Sequence, residues 1–321
     1  TVDDIILKNA DTATPVLKIS ASKNGTYRLL FNNRLTTFTI AGTQAEIELD
    51  SVGEGNYSVM VIREGDENFN DAVNTTTFTV SEYIGNFIVN STGHKFDSLR
   101  EAINDAAAED IIYVMEGNYT GEGNTGLEVS GKKLTIIPVG VVVFDGSYTN
   151  SGFLTIDENS DITLEDIVIS GFKERVLNNK GNLTVDECTF SNNDLKTTII
   201  YSEGNLKVVE SGFYDNRAYQ IIYSSSNIII NESVFENNTV YYSNGYIIHM
   251  KSVESAKITS TEFVENRIVG SGIYVDDCDD VLINAEFYNN TLGDAILSGG
   301  VRRDLNIENS IFSGNTLVSA I

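Results

Sequence analysis

Several residue types are scarce in this chain of 321 residues: tryptophan is absent, and proline, cysteine and histidine occur only twice each. Few prolines suit a chain that runs uninterrupted through sheet ladders, because proline cannot donate the ladder hydrogen bond. Two cysteines are too few for a disulfide scaffold. The sequence also lacks an apolar run of about 18 residues, which argues against membrane insertion of this segment.

Positive charge is scarce as well. The chain has 21 lysines and arginines against 46 aspartates and glutamates, which gives a formal net charge of −25. Nucleic acids and anionic membranes attract lysine and arginine, so the composition argues against both as partners. It suits a soluble extracellular surface that must not associate with itself, and we expect a monomer.

Residues 1–82 are predicted to form a β-sandwich. Short apolar runs recur every 8 to 12 residues or so, separated by turn-forming residues, as a sandwich of antiparallel sheets requires. The seven runs are DIIL, VLKISA, TYRLLFNN, TTFTIA, AEIELD, NYSVMVIRE and TTTFTV.

The end of this region resembles the closing strands of bacterial immunoglobulin-like repeats. In those repeats a G-x-Y-x-V strand precedes G-D-x-x-Y/F and a final T-T-F-T-V strand. The matching residues are Gly55, Tyr57, Val59, Gly65, Asp66, Phe69, Phe78 and Val80. The resemblance implies an immunoglobulin-like fold, in which Tyr57 is either a core aromatic residue or the donor of a tyrosine-corner bond.

One helix is predicted, at about residues 97–108. Its apolar residues recur at i, i+3, i+4 and i+7, which places them on one face. They are Leu99, Ala102, Ile103 and Ala106. Ser98 and Glu101 have the spacing of a capping box at the start of the helix.

The C-terminal half is a tandem repeat. Each unit has an apolar-x-apolar strand, then a phenylalanine and, three residues later, an asparagine. The phenylalanines are Phe190, Phe213, Phe235, Phe263, Phe287 and Phe312. The asparagines are Asn193, Asn216, Asn238, Asn266, Asn290 and Asn315. Successive phenylalanines are 23, 22, 28, 24 and 25 residues apart, with a second strand between them in each unit.

A repeat of this length, made of strands and turns, predicts a right-handed parallel β-helix over residues 86–321. Equivalent residues of successive coils stack about 4.8 Å apart. We therefore expect a phenylalanine ladder inside and an asparagine ladder at a turn, where asparagine tolerates the left-handed conformation. Cys188 and Cys278 fall about four coils apart, too far for a disulfide, and are predicted to be unpaired, buried thiols.

The ends of such a β-helix expose apolar surface and unpaired strand edges. We expect the helix at 97–108 to cap the N-terminal end. The repeat stops within a copy of the second strand, at Ile321, so we expect the native protein to continue beyond it.

The helix region carries F-x-S-L-x-x-A-I-N-x-A and then D-x-I-Y-V-x-x-G-x-Y. The matching residues are Phe96, Ser98, Leu99, Ala102, Ile103, Asn104, Asp110, Ile112, Tyr113, Val114, Gly117 and Tyr119. With the F-x-x-N coils and the immunoglobulin-like repeat, this motif resembles adhesin-like proteins of methanogenic archaea, which have a pectin-lyase-like β-helix region. The resemblance covers nearly the whole chain. It implies a large extracellular protein at the cell surface that contacts another cell, a glycan or a protein.

The acidic segment YVDDCDDVLI is the densest carboxylate cluster, and its function can be interpreted in three ways. Its aspartates are the candidate metal ligands, because calcium is bound by several oxygens. They are Asp276, Asp277, Asp279 and Asp280. The D-D-C string also resembles the acidic pair of polygalacturonases, although their N-T-D, G-H-G and R-I-K motifs are missing. The third interpretation, which we favour, is a solvated acidic turn.

Other catalytic groups are few. His94 and His249 are interpreted as surface or packed residues rather than as bases. Arg302 and Arg303 are candidates for the base of a lyase only because they lie close to the acidic segment in the repeat order. No catalytic residue and no cofactor are therefore assigned.

Nine tyrosines of the repeats are candidates for ligand contact, because aromatic rings are enriched at interfaces. They are Tyr201, Tyr214, Tyr219, Tyr223, Tyr241, Tyr242, Tyr246, Tyr274 and Tyr288. Strand alternation predicts that about half of them are buried. Tyr241 and Tyr242 are the predicted ligand-binding residues, since they lie in the longest inserted turn and insertions in repeat proteins often carry binding function.

Together these patterns predict a non-enzymatic cell-surface adhesin. The alternatives are a polysaccharide lyase or glycoside hydrolase with the same fold, and a purely structural surface stalk. Nine Asn-x-Ser/Thr sequons either mark a glycoprotein or arise by chance in a chain rich in these residues.

Overall fold

The computed structural model describes residues 1–3, 5–7, 12–65, 71–82 and 84–318. The chain divides into two compact units, Thr1–Gly85 and Asn86–Ile321. As predicted, the described secondary structure is nearly all β. Among the described residues, no helix is both long and apolar enough to cross a membrane.

The first unit contains seven strands, one at each apolar run. They are β1 (Ile5–Leu7), β2 (Val16–Ser20), β3 (Gly25–Phe31), β4 (Arg34–Ile40), β5 (Gln44–Glu48), β6 (Gly55–Arg63) and β7 (Ala72–Glu82). One sheet has the order β1-β7-β6-β3-β4, and a second pairs β2 with β5. Among the described strands of this unit, β1 and β7 pair in parallel and the other pairs are antiparallel. Asp66 and Phe69 of the repeat motif lie outside the described residues.

The two sheets share one core, in which Leu17 of β2 packs with Val59 and Phe78 of the larger sheet. Tyr57 is both an aromatic residue packed against this core and the donor of a hydrogen bond to the backbone. Its ring stacks on Phe78 with centroids 5.4 Å apart, and its hydroxyl donates to the Gly53 carbonyl at 3.0 Å. The immunoglobulin-like assignment itself stays a prediction.

The second unit begins with a short hairpin and a helix. Its first elements are β8 (Phe87–Val89), β9 (Lys95–Phe96), α1 (Leu99–Asp105), β10 (Asp110–Tyr119), β11 (Leu127–Val129), β12 (Lys133–Asp145), β13 (Leu154–Ile156), β14 (Asp161–Glu165), β15 (Val168–Ser170), β16 (Leu177–Asn179), β17 (Asn182–Asp186), β18 (Thr189–Ser191), β19 (Thr198–Ser202) and β20 (Asn205–Val209).

The remaining coils contain only strands and turns. Their strands are β21 (Gly212–Tyr214), β22 (Arg217–Ala218), β23 (Gln220–Ser224), β24 (Ile228–Asn231), β25 (Val234–Glu236), β26 (Thr239–Val240), β27 (Tyr246–Lys251), β28 (Ser255–Val264), β29 (Arg267–Ile268), β30 (Ser271–Cys278), β31 (Asp280–Tyr288), β32 (Thr291–Leu292), β33 (Leu297–Val301), β34 (Leu305–Ile307), β35 (Ile311–Ser313) and β36 (Thr316–Leu317). The last predicted strand copy, 319–321, lies outside the described residues.

β10 pairs antiparallel with β8 and parallel with β12, and from β11 onward the strands pair in parallel with those of neighbouring coils. One face of the stack is the eight-stranded sheet β11-β13-β16-β19-β23-β27-β30-β33, and another is the five-stranded sheet β22-β26-β29-β32-β36. The third and largest sheet takes up the remaining strands of this unit. The result is a parallel β-solenoid of about 9 turns, which confirms the parallel β-helix predicted from the repeat.

The predicted phenylalanine ladder is confirmed. Ring centroids of successive coils lie 4.6 to 5.0 Å apart and the rings are within 7° of parallel. The rings from Phe190 to Phe287 are buried. Cys188 and Cys278 are also buried and unpaired, as expected from their separation.

The asparagine ladder is present, but its predicted conformation is wrong. Asn216 Nδ2 donates to the Phe190 carbonyl of one neighbouring coil and to Asn238 Oδ1 of the next, at 2.9 and 3.0 Å. The left-handed residue is the one before each asparagine, for example Asp215 with φ of 55°. The sharp turn is made by that exposed neighbour, because the ladder asparagine must point inward to satisfy the carbonyls.

Helix α1 is shorter than the predicted 97–108. Ser98 caps its start by accepting the Glu101 N–H at 3.3 Å. The helix ends at Asp105, because Ala106 leaves the helical conformation. The Lys132 ammonium donates hydrogen bonds to the Ile103, Asn104 and Ala106 carbonyls at 2.6 to 3.1 Å. The predicted apolar face is buried in the solenoid core.

Candidate binding surface

Four strands of the eight-stranded sheet place aromatic side chains in one outward column. In β19, β23, β27 and β30 a buried isoleucine precedes an aromatic residue that is partly exposed. The parallel register aligns these residues from coil to coil. They are Tyr201, Tyr223, His249 and Tyr274.

The rings of this column touch. Tyr201 and Tyr223 stack with centroids 4.7 Å apart and an angle of 8°. His249 meets Tyr223 and Tyr274 edge-on, at 5.1 and 5.2 Å. Tyr246, which opens β27, stacks on Tyr274 at 4.6 Å. These five residues form a continuous surface along the solenoid, here called the tyrosine strip.

The expectation that half of the nine tyrosines would be buried is wrong. All nine lie in the described part of the chain, and each is at least partly exposed. The large side chains at inward positions are phenylalanine and aliphatic residues, which carry no hydroxyl that needs a partner. Tyr214 and Tyr288 lie on a different sheet and are not part of the strip.

The strip presents hydroxyls and ring edges rather than open ring faces. The stacked faces cover one another, and the second face of Tyr201 holds the Arg175 guanidinium 4.1 Å from its centroid. Burial raises the pKa of Tyr201 and of Tyr246, so these hydroxyls stay protonated at neutral pH. The Tyr201 hydroxyl donates to Glu203 Oε1 at 3.2 Å. The hydroxyls of Tyr223, Tyr246 and Tyr274 can donate hydrogen bonds to a ligand that has repeated acceptors.

His249 is held as a neutral imidazole. Gln220 accepts from Thr198 through its side-chain oxygen and contacts His249 Nδ1 through Nε2 at 3.0 Å. Nδ1 is therefore the acceptor, and the ring proton lies on Nε2, which has no hydrogen-bond partner among the described residues. Burial lowers the pKa of His249 from 6.5 to about 4. These contacts agree with the interpretation of His249 as a packed residue.

The lowered pKa of His249 predicts a pH-dependent stability difference. Between about pH 4 and pH 6.5 the unfolded chain binds a proton at this residue and the folded chain does not, so its contribution to stability falls as the pH drops. In urea titrations, the stability of wild type relative to His249→Gln should fall by about 1 kcal/mol from pH 7 to pH 4, after discounting for solvent screening. A constant difference across this range would contradict the assignment.

The inserted turn after β26 folds back over the preceding coils. The Tyr241 hydroxyl donates to the Leu195 carbonyl at 2.9 Å, and its ring lies 4.8 Å from the Arg217 guanidinium. Tyr242 is 40% exposed and contacts both Tyr241 and Tyr219, at 4.6 and 5.4 Å. The two residues selected from the sequence thus belong to a second aromatic patch on the solenoid.

The sequence analysis did not predict the tyrosine strip, although the second strand of each coil carries a pattern that indicates it. The second strands read TIIYS, QIIYS, YIIHM and SGIYV, with Tyr or His at the same offset after a buried isoleucine. That offset defines an outward column once the coils are aligned. The varying coil lengths concealed it, because one step between phenylalanines is 28 residues and the others are 22 to 25.

The four candidate calcium ligands do not converge. Asp279 lies 2.8 Å from Arg302, which is also 3.6 Å from Asp277, and Asp276 lies 3.9 Å from Lys251. Within the described ranges, no three His, Cys, Asp or Glu side chains are placed to hold a metal. The aspartates Asp276, Asp277, Asp279 and Asp280 therefore give no geometric support to a calcium site. The solvated acidic turn fits better, because basic residues of adjacent coils balance its charge.

Comparison with known proteins adds little. No protein-family model and no curated protein matches this chain. A solved structure, the catalytic unit of thermostable GH87 alpha-1,3-glucanase from Streptomyces thermodiastaticus strain HF3-3, is 11% identical. The alignment covers 96% of this chain and 87% of that one, with a TM-score of 0.14. A TM-score this low supports no inference on activity.

Proposed function

We propose that this protein is a non-enzymatic adhesin of the cell surface, which binds a glycan of another cell along the tyrosine strip. The observation that carries the proposal is the strip itself, a row of touching aromatic residues across four coils. Exposed aromatic clusters are unusual on a surface that has no partner.

A glycan fits the strip better than a protein does. Neighbouring coils present phenol groups side by side, as in Tyr201 and Tyr223, whose ring centroids lie 4.7 Å apart. A polymer of hydroxylated sugars offers acceptors at every unit. Stiff tyrosines lose little conformational entropy on binding, so each contact retains most of its energy.

The finer features of the fold belong to the same proposal. We expect the coil to be right-handed, because connections between parallel strands of one sheet almost always are. An immunoglobulin-like sandwich and a capping role for α1 are supported by separate observations. The parallel β1–β7 pair and the Tyr57 bond are features of immunoglobulin-like sandwiches, and α1 buries Leu99, Ala102 and Ile103 in the first coils. Eight of the nine sequon asparagines are exposed, as glycosylation requires.

Two assays test the proposed function. The first measures binding of the whole chain to a glycan array and to intact cells, and we expect saturable binding. Absence of binding to either would favour the structural stalk. The second incubates the chain with a panel of polysaccharides and scores reducing ends and unsaturated products. We expect none, and turnover would favour the glycoside hydrolase or lyase.

A further inference from the structure

A cleft of about 530 Å³ opens beside Tyr241, under the turn that folds back over the preceding coils. Its charged lining residues are Lys173, Lys196, Arg217, Glu174 and Asp194. Three cations against two carboxylates give this cleft one excess positive charge, in a chain whose formal net charge is −25.

The cations of the cleft are available to a ligand. Lys173 and Lys196 are exposed, and neither forms an ion pair with a carboxylate in the described part of the chain. Arg217 lies 3.7 Å from Asp194, but both side chains are more than half exposed, so the pair is weak. An incoming anion can therefore engage all three without breaking a buried interaction.

The aromatic wall of the cleft is fixed. The bond from the Tyr241 hydroxyl to the Leu195 carbonyl holds this ring against Arg217, and Tyr242 lies beside it. Consecutive residues link the cleft to the tyrosine strip, because Glu174 lines the cleft and Arg175 stacks on Tyr201. A polymer bound along the strip can place one of its units in the cleft.

We propose that the cleft binds a sugar unit that carries one carboxylate, so that the glycan held by the strip is an acidic polysaccharide; this inference rests on the proposed function. One excess positive charge matches one carboxylate. The carboxylates of Glu174 and Asp194 accept hydrogen bonds from sugar hydroxyls and disfavour doubly charged esters. At physiological ionic strength the Debye length is about 8 Å, so distant acidic groups of the protein are largely screened.

Calorimetric titration of the whole chain with matched probes tests this proposal. The probes are an oligosaccharide of β-1,4-linked glucose and the same oligosaccharide with each C6 oxidised to a carboxylate. We expect the oxidised probe to bind about tenfold more tightly at physiological ionic strength, where the distant acidic groups are screened. A sialic-acid-terminated oligosaccharide, as a third arm, separates a terminal carboxylate from one within the chain.

Two double variants test whether the preference for the oxidised probe arises in the cleft. Lys173→Gln with Lys196→Gln should abolish the preference, because it removes two of the three cations that line the cleft. Lys207→Gln with Lys257→Gln removes the same charge from exposed positions of another sheet and should keep the preference.

Each contrary outcome has a distinct meaning. Equal binding of neutral and oxidised probes overturns the acidic-sugar assignment and leaves the proposed function standing. A preference that survives the Lys173/Lys196 variant also overturns it, because the anion then binds elsewhere. If no carboxylated probe binds, the assignment is wrong, and the array and cell assays decide the proposed function independently.

Discussion

Replacing Asn216 with alanine is expected to lower the free energy of unfolding by about 3–5 kcal/mol. The amide makes four hydrogen bonds in the core. It donates to Phe190 O and Asn238 Oδ1, and its oxygen accepts from Asn193 N and Nδ2, all at 2.9 to 3.1 Å. The variant leaves the Asn193 N–H and the Phe190 carbonyl with no side-chain partner in a site that is 1% exposed. Buried polar groups without partners are costly, because each has lost its hydration without gaining a hydrogen bond.

A second ladder provides the control for Asn216. The side chain of Asn182 also contacts an asparagine of the next coil, Asn205, at 2.9 Å, but it is exposed to solvent. Asn182→Ala should therefore lower the stability by less than about 1 kcal/mol. Urea titrations followed by circular dichroism measure both variants. A loss below about 1 kcal/mol for Asn216→Ala would show that the inner ladder does not hold the coils together.

Removing the hydroxyls of the strip is expected to weaken glycan binding about a hundredfold. The variant converts Tyr201, Tyr223, Tyr246 and Tyr274 to phenylalanine, which keeps the stacked rings and deletes only the outward donors. Because the Tyr201 hydroxyl donates to Glu203, three ligand hydrogen bonds are lost. At about 0.9 kcal/mol each they amount to about 2.7 kcal/mol, which corresponds to that factor.

The matched control for this variant converts Tyr214 and Tyr288, which lie on a different sheet, to phenylalanine. We expect wild-type affinity from it. Equal thermal stability of both variants and wild type would show that the fold is intact. Undiminished binding by the strip variant would mean that the ligand contacts another surface.

The repeat made the solenoid predictable. Because every coil repeats the environment of the last, Phe190 and Phe213 occupy equivalent places, and one aligned pair determines the register of the rest. The conformation of the turn was harder to predict. Asparagine tolerates the left-handed region, yet Asn216 is drawn inward by the Phe190 carbonyl, and its neighbour Asp215 takes the strained conformation instead.

Contacts between coils could not be read from local spacing. The sequence offered the aspartates of the Asp276–Asp280 segment as candidate metal ligands, although it favoured a solvated acidic turn. It did not show that Arg302 lies beside them, which happens because the next coil returns there. The end of α1 depends in the same way on Lys132, a residue 26 positions after Ala106. Such effects require the three-dimensional register, and so did the strip formed by Tyr201 and its neighbours.

Oxidative footprinting of the whole chain, with and without the tightest-binding glycan of the array, tests the central claim most directly. Reactivity is read for each tyrosine by mass spectrometry. We predict that the bound glycan protects Tyr201, Tyr223, Tyr246 and Tyr274 and leaves Tyr214 unchanged. Binding without protection of these four residues, or absence of any bound glycan, would contradict the assignment of the tyrosine strip as the adhesive surface.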